Sequence, residues 1–441
     1  MKIAVIGSGI AGMTAANLLS EQHDVWVFEK NNYIGGHTAT VDVEVAGEAF
    51  AIDTGFIVFN DRTYPNFRAL LRKHGVAWQD TQMSFSVQNP TTGLEYNGHN
   101  LRTMFAQKRN YLRPSFYKML FDIVKFNKAA KNALTERSET ELANLTLAEF
   151  VEELNLGNEF STNYLYPMCA AIWSASLKEA SAFPLSFFLR FFLNHGLLDV
   201  ANRPQWHVIK GGSRSYIPAL TKPFADKITL NADVVSVRRD ENGVDIGFAD
   251  GDTQRFDEVI MACHSDQALA LLSDPSAEEQ SILGGIPYQK NDVVLHTDIK
   301  QLPKRRAAWA SWNYLLPKLD ITGIQKPATV TYNMNILQGL TDATETFCVT
   351  LNNTAAIDPN KILRQFTYDH PVYSVDSFKQ RARRLEICGK NRTHFCGAYW
   401  YSGFHEDGVR SAVDVAERFG VARPERDPVH ADSLKKVDDG N

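Results

Sequence analysis

KIAVIGSGIAGMTAANLLSEQHDVWVFEK, residues 2–30, reads as strand, glycine turn, helix, strand and acid, in that order. Ile3 to Ile6 is an apolar β-branched run, Gly7-Ser8-Gly9-Ile10-Ala11-Gly12 is the turn, and a helix-forming segment follows to Ser20. Val25 to Phe28 is a second apolar run, closed by Glu29. The three glycines serve different ends. Gly7 allows a tight turn, Gly9 lets a pyrophosphate approach the backbone, and Gly12 lets the helix pack close to the strand. The helix N-terminus offers free N–H groups and the positive end of its dipole to phosphates. Glu29 is the acceptor for a ribose diol. Glycines cluster in ordinary strand-to-helix turns too, but here strand, helix and an acid seventeen residues past Gly12 agree on a dinucleotide.

A chain of 441 residues exceeds one ordinary core and is expected to divide into about two domains. Hydrophobic residues make up 44% and charged residues 22%, as in soluble globular proteins. A net charge of -5 argues against nucleic acid as a partner; the local basic clusters at 304–306 and 381–384 read as solvated faces. The five cysteines form no CxxC pair, which fits a reducing compartment and neither a disulfide framework nor a zinc site. A strand beginning at Lys2 leaves no room for a signal peptide, and no run of eighteen apolar residues occurs, so a cytoplasmic location is expected.

Beyond Glu29, Gly35-Gly36-His37-Thr38 permits either a tight loop against a ligand or an ordinary hairpin turn. Val41 to Ile52 alternates like a hairpin and ends in Asp53-Thr54-Gly55-Phe56. Pro65 opens a helix that Gly75 stops. From about residue 80 the texture becomes helical for about 120 residues, with Thr146 and Glu149 forming a capping box. The run from Ala182 to Leu193 holds Phe183, Phe187, Phe188, Phe191 and Phe192. It reads as helical core, or as the lining of a tunnel for an apolar substrate, or as peripheral contact with a membrane surface. After Trp206 come a strand, the Lys210-Gly211-Gly212 turn, a meander from Ile228 through Val234 to Ala262, and a mixed region from Leu283 to Ala356 that reads as a second small sheet. Thr393 to Gly420 is strand, Gly397-Ala398 turn, and a helix past Gly408.

Three separated segments now fall into one pattern: Gly7 to Glu29 with Gly35-Gly36, the Lys210-Gly211-Gly212 turn leading to Ala262, and Gly397 to Gly408 leading into a helix. Together they resemble the flavin-containing amine oxidase superfamily, which includes monoamine oxidases, protoporphyrinogen oxidase and phytoene-desaturase-like enzymes, and within it a bacterial branch of NAD/FAD-binding proteins. The resemblance implies an α/β fold: a Rossmann-like FAD-binding domain of glutathione-reductase type with an inserted α+β substrate domain. The FAD-binding domain would be discontinuous (1–80, 205–285 and 376–422), the substrate domain would take 81–204 and 286–375, and 423–441 would be a flexible tail.

The resemblance further implies noncovalent FAD. Ser8, Ala11 and Gly12 would cradle the pyrophosphate beside Gly7 and Gly9, Glu29 with neighbouring Lys30 the adenosine ribose, and the Val234 backbone and Ala262 the adenine side. Gly36, His37, Thr38, Gly55 and Phe56 would lie along the ribityl chain and isoalloxazine. Gly397 and Ala398 would touch the ribityl, while Asp407, Gly408 and Val409 would meet the flavin N1 and O2 edge, where a helix dipole favours the negative charge of reduced flavin. The aromatic pair that faces the flavin in such oxidases corresponds to Tyr373 and Phe404, and Val372 stands at the covalent-cysteine position. Lys290 is either the lysine that reaches flavin N5 through a water or a surface lysine.

These residues describe an FAD-dependent oxidoreductase that takes a hydride from a substrate C–H bond onto flavin N5. The phenylalanines point to an apolar, acyl- or lipid-like small molecule; an amine is the alternative substrate, and a non-catalytic FAD-carrying redox sensor the alternative class. No metal site is expected.

Overall fold

The computed structural model describes residues 1–199, 203–317 and 329–425; residues 426–441, most of the tail read as flexible, lie outside it. The opening stretch folds as read: strand Lys2–Ile6, helix Ile10–Leu19 and strand Asp24–Phe28. These two strands belong to a five-stranded parallel sheet. Its order is Ile228–Thr229, Asp24–Phe28, Lys2–Ile6, Glu258–Met261, Thr393–Phe395. Val5 stands opposite Val27 on one side and Ile260 on the other. A parallel strand covered on both faces reads as a continuous apolar run, which is why KIAVI and EVIM show no alternation. Every residue of Ile10–Leu19 is buried, and the final helix, His405–Arg418, packs beside it. An antiparallel meander, Val234–Asp240, Gly243–Phe248 and Thr253–Phe256, lies against Phe28, whose ring is 5.2 Å from Phe248 and 5.7 Å from Phe256.

A second, seven-stranded sheet runs Ile362–Pro371, Tyr288–His296, Cys348–Leu351, Thr329–Asn333, Trp312–Leu315, Phe85–Asn89, Leu94–Asn97. Its neighbours are antiparallel except Trp312–Leu315 with Phe85–Asn89, which run parallel. Two further cores meet on it. One joins Val87, Tyr96, Tyr314 and Val330 to the buried faces of the helices between 114 and 194; the other joins Val293, Leu295 and Val349 to the hairpin Thr40–Val45 and Glu48–Asp53.

The stretch after residue 80 is helical only from about residue 100. Phe85–Asn89 and Leu94–Asn97 form a hairpin first, turning at Gly93 with φ 63°. The period of two in Phe85-Ser-Val-Gln-Asn is short, and the polar Gln88 and Asn89 hide it; the strands exist because they extend a sheet built from residues more than two hundred positions away. The capping box holds: the Thr146 N–H donates to Glu149 Oε2 at 2.7 Å and the Glu149 N–H to Thr146 Oγ1 at 3.3 Å. The helix it opens, Leu147–Glu153, stops before Gly157. Among the described residues no helix is long and apolar enough to cross a membrane. All five cysteines are free thiols.

Candidate functional site

The glycine turn is tight where the sequence requires it and open where a ligand is expected. A Cβ on Gly7, which has φ 105°, would stand 2.9 Å from the Ala262 carbonyl oxygen, and one on Gly12 would overlap the Gly7 carbonyl oxygen. A Cβ on Gly9 would meet nothing within 4 Å. Gly9 caps helix Ile10–Leu19 without a side-chain acceptor, and the first turn carries no acid, so the N–H groups at residues 10–12, Ala11 among them, are free for an anion. Gly36 lies over this turn, a Cβ there coming within 3.4 Å of Gly9 Cα.

Glu29 is buried and engaged. Its Oε2 accepts from the Ser8 N–H at 2.9 Å and Ser8 Oγ at 2.6 Å, and its Oε1 from the N–H and Nδ2 of Asn31 at 2.9 and 2.8 Å. Lys30 beside it is exposed. The Ala232 N–H donates to the Glu29 carbonyl at 2.9 Å, which brings Val234, the first residue of the meander, next to the acid.

Gly55 and Phe56 sit on the His37 loop: the Phe56 N–H donates to the His37 carbonyl at 2.7 Å, and a Cβ on Gly55 would overlap that carbonyl. Thr38 Oγ1 lies 2.6 Å from the Tyr216 hydroxyl, which is 2.8 Å from His405 Nε2. Phe56 stacks on the His405 ring at 3.7 Å. Burial, followed by the neighbouring His37, holds His405 neutral. His37 itself is pushed down to about 3, first by burial and then by His370 and His264, and its Nε2 has no partner. Burial takes His370 and His195 down to about 4.

These histidines make the fold acid-sensitive. Their folded-state values lie below the ordinary 6.5, so the stability they contribute is complete above pH 6.5 and is lost as pH falls toward 4 and below. The melting temperature is expected to drop between pH 6.5 and 4, and His195→Gln to shallow that drop in a differential scanning calorimetry series.

At the far end of the site, Gly397 holds the Tyr399 ring so closely that a Cβ would overlap it, and Ala398 starts a single turn. Phe404 precedes the final helix. The Asp407 carboxylate turns back to accept the Phe404 N–H at 2.8 Å, and burial raises it to about 6. The Asp407 side chain therefore caps its own helix, and what the first turn through Gly408 and Val409 offers outward is backbone. A Cβ on Gly408 would stand 2.7 Å from Ile10 Cγ2, so the N-termini of the two helices adjoin. Two positive dipole ends then point at one region. Glu406, fully buried, accepts from the N–H and Nδ2 of Asn66 at 3.0 and 2.6 Å and from the Phe67 N–H at 2.8 Å.

Tyr373 and Phe404 are brought together, since Tyr373 Oη lies against Gly403. The phenylalanine-rich helix, Leu185–Asn194, backs both: Phe187 is parallel to Tyr373 at 5.6 Å, and Phe191, one turn on, stacks at 5.1 Å on Phe404. Phe183, Phe188 and Phe192 are core, as the first of the three readings expects. Between Trp173, Phe183 and Tyr373 remains a cavity of about 10 Å³. Lys290 stands inside strand Tyr288–His296, exposed, opposite Asp369.

The basic cluster at 381–384, read as a solvated face, is not one: Arg381 and Arg384 are buried, because Arg381 packs on Tyr373 and Arg384 donates to the Phe395 and Ser411 carbonyls. Arg381 is 4% exposed and its guanidinium carbon lies 4.0 Å from the Tyr373 ring centre, with one nitrogen donating to the Val372 carbonyl at 3.0 Å. Among the described residues Nε and Nη1 have no hydrogen-bond partner, nor does the Tyr373 hydroxyl. Burial lowers the affinity of Arg381 for its proton, and among the described residues no carboxylate pairs with it. Because the Tyr373 hydroxyl is unbonded here, Tyr373→Phe is expected to change stability by less than about 1 kcal/mol in denaturant melts.

Residues 10–301 match the family described as flavin-containing amine oxidoreductase. A putative flavin-containing monoamine oxidase, AofH, of Mycobacterium tuberculosis is 24% identical over 365 residues, spanning 77% of this chain and 74% of that protein. The carotenoid phi-ring synthase of Streptomyces griseus is 25% identical over 291 residues, 60% of this chain and 52% of the synthase. Among solved structures, a CLA-producing fatty acid isomerase from P. acnes superposes with a TM-score of 0.68 at 15% identity, over 95% of this chain and 98% of that one. Cyclohexylamine oxidase from Brevibacterium oxydans superposes with a TM-score of 0.63 at 15% identity, over 95% and 99%.

Proposed function

Because this chain belongs to the flavin-containing amine oxidoreductases and is an FAD-dependent oxidoreductase, we propose that it oxidises an apolar, acyl- or lipid-like substrate at a C–H bond. The residues fit FAD: the space at Gly9, the uncapped N–H groups behind it, the adjoining second helix terminus, and the unpartnered His37 Nε2 all suit a dinucleotide threaded between the two N-termini. The parallel sheet with its meander supports a domain of glutathione-reductase type from 1–80, 205–285 and 376–422. The rest, 81–204 and 286–375, serves as the substrate domain. Val372 carries no thiol, which supports a noncovalent cofactor, and the five free cysteines suit a reducing, cytoplasmic setting.

When bound, FAD supplies the acceptor for a hydride. The chain's own part is binding and exclusion of water. Phe187, Phe191, Tyr373 and Phe404 make an apolar wall, stacked in the pairs Phe187–Tyr373 and Phe191–Phe404. His405, held neutral and bonded to Tyr216, keeps Phe56 and the His37 loop in place. Lys290 carries no step in this reading.

The observation that favours an acyl substrate over an amine is Arg381. A buried guanidinium beside Tyr373, with its Nε and Nη1 unpartnered among the described residues, repels an ammonium and offers a carboxylate charge-assisted hydrogen bonds. Cyclohexylamine oxidase and the fatty acid isomerase share the fold at equal identity and cannot separate the two. Anaerobic incubation with long-chain fatty acids and with alkylamines, following flavin absorbance, separates them: bleaching by fatty acids, lost in Arg381→Met, supports the proposal, and bleaching by amines alone overturns it.

A further inference from the structure

The phenylalanine run that suggested a membrane contact is buried, yet a different surface has the chemistry for one. Residues 101–131 carry eight lysines and arginines against a single acid, Asp122, and that acid is buried; the whole chain has a net charge of -5. Amid this basic segment the structure exposes large apolar side chains: Leu112 at 87%, Phe121 at 74%, Val124 at 59% and Tyr111 at 55%.

They are neighbours. Tyr117, Phe121 and Val124 recur at helical spacing on Pro114–Glu136, whose opposite face buries Phe116, Met119, Phe126 and Ala130 in the core. The Tyr117 hydroxyl donates to the Tyr111 carbonyl at 3.2 Å, and Tyr111 stacks on Phe105 at 4.3 Å, so the loop before the helix continues the stripe. Exposed Arg102, Lys108, Lys118 and Lys128 flank it.

We propose that this face lies on an anionic phospholipid surface, with Tyr111, Leu112, Tyr117 and Phe121 in the acyl boundary and the basic side chains among the headgroups. Long apolar side chains ringed by lysine and arginine are what an interfacial helix presents to acidic lipid. A second copy of the chain fits worse, because a two-fold contact would set one basic rim against the other. Nucleic acid would use the charge but not the exposed Leu112 and Phe121. Lipid contact at this face is independent of the substrate.

The test is co-sedimentation of the flavin-loaded protein with vesicles of pure phosphatidylcholine and of phosphatidylcholine containing about one third phosphatidylglycerol. The protein is expected to bind the anionic vesicles at least about tenfold more tightly, less so at high salt. Leu112→Asp with Phe121→Asp, and separately Lys108→Glu with Lys128→Glu, are each expected to weaken that binding about tenfold, with melting temperature and flavin content unchanged. Equal binding to both vesicles, no binding, or vesicle binding unaffected by both pairs overturns the proposal. So does a wild-type dimer that the Asp pair dissociates in sedimentation velocity without vesicle affinity.

Discussion

A Gly9→Val chain is expected to fold normally and to come off the column colourless. The backbone at Gly9 has φ -63° and ψ 175°, which any residue adopts, and a Cβ there meets nothing within 4 Å, so the apoprotein has no reason to object. The branched side chain would occupy the space where the pyrophosphate must approach the N–H groups of residues 10–12. Losing one or two charge-assisted backbone bonds weakens FAD binding on the order of a hundredfold. Flavin absorbance per chain, read beside circular dichroism and the melting curve, checks both halves. Gly12→Ala is the control for the other kind of glycine. Its Cβ would overlap the Gly7 carbonyl oxygen, so the turn itself breaks and solubility goes with it. A Gly9→Val protein that retains its yellow colour would remove the dinucleotide from this turn.

Glu406→Ala is expected to cost about 4 kcal/mol, because it strands three buried donors at once. Those donors, the N–H and Nδ2 of Asn66 and the Phe67 N–H, belong to the first turn of helix Pro65–Lys73, which Glu406 caps from the final helix 340 residues away. Burial raises the Glu406 carboxyl to about 8 from its ordinary 4.5. With the folded value above the unfolded one, its contribution is complete below pH 4.5 and is lost as pH rises through 8. Glu406→Gln cannot ionise. It is expected to cost less than Ala and to flatten the loss of stability between pH 4.5 and 8, as chemical denaturation across that range would show.

The dinucleotide turn was legible in the sequence because its information is local: three glycines, a strand, a helix and Glu29 lie within thirty residues, and each is required by backbone geometry. The capping box at Thr146 was legible for the same reason. The hairpin at 85–97 was not, because its strands exist to pair with Trp312–Leu315. Arg381 was misread as part of a solvated basic cluster, and His405 and Tyr216 were invisible, for a different cause. As residue types they are ordinary, and they acquire meaning only when burial strips water from them and leaves Arg381 without a carboxylate and His405 without a proton. The phenylalanine run lay between the two cases. The sequence left it as helical core, tunnel lining or membrane contact, and only packing shows that Phe188 and Phe192 fill the core while Phe187 and Phe191 back Tyr373 and Phe404. The Asp407 carboxylate turns back to Phe404, an orientation that no residue type in the sequence announces.

The order of strands in the parallel sheet also dictates a timetable for the chain in the cell. Lys2–Ile6, made before every other strand of that sheet, takes Glu258–Met261 as one partner, and that strand in turn takes Thr393–Phe395. The glycine turn at residues 7–12 thus waits through more than two hundred residues of synthesis for Ala262 to close over it, and the second helix terminus arrives later still. Such long-range parallel pairing is slow and leaves apolar edges uncovered meanwhile. Closure of the turn is therefore a late event, and the early strands KIAVI and DVWVF are the segments of that sheet for which a chaperone has the longest time to compete.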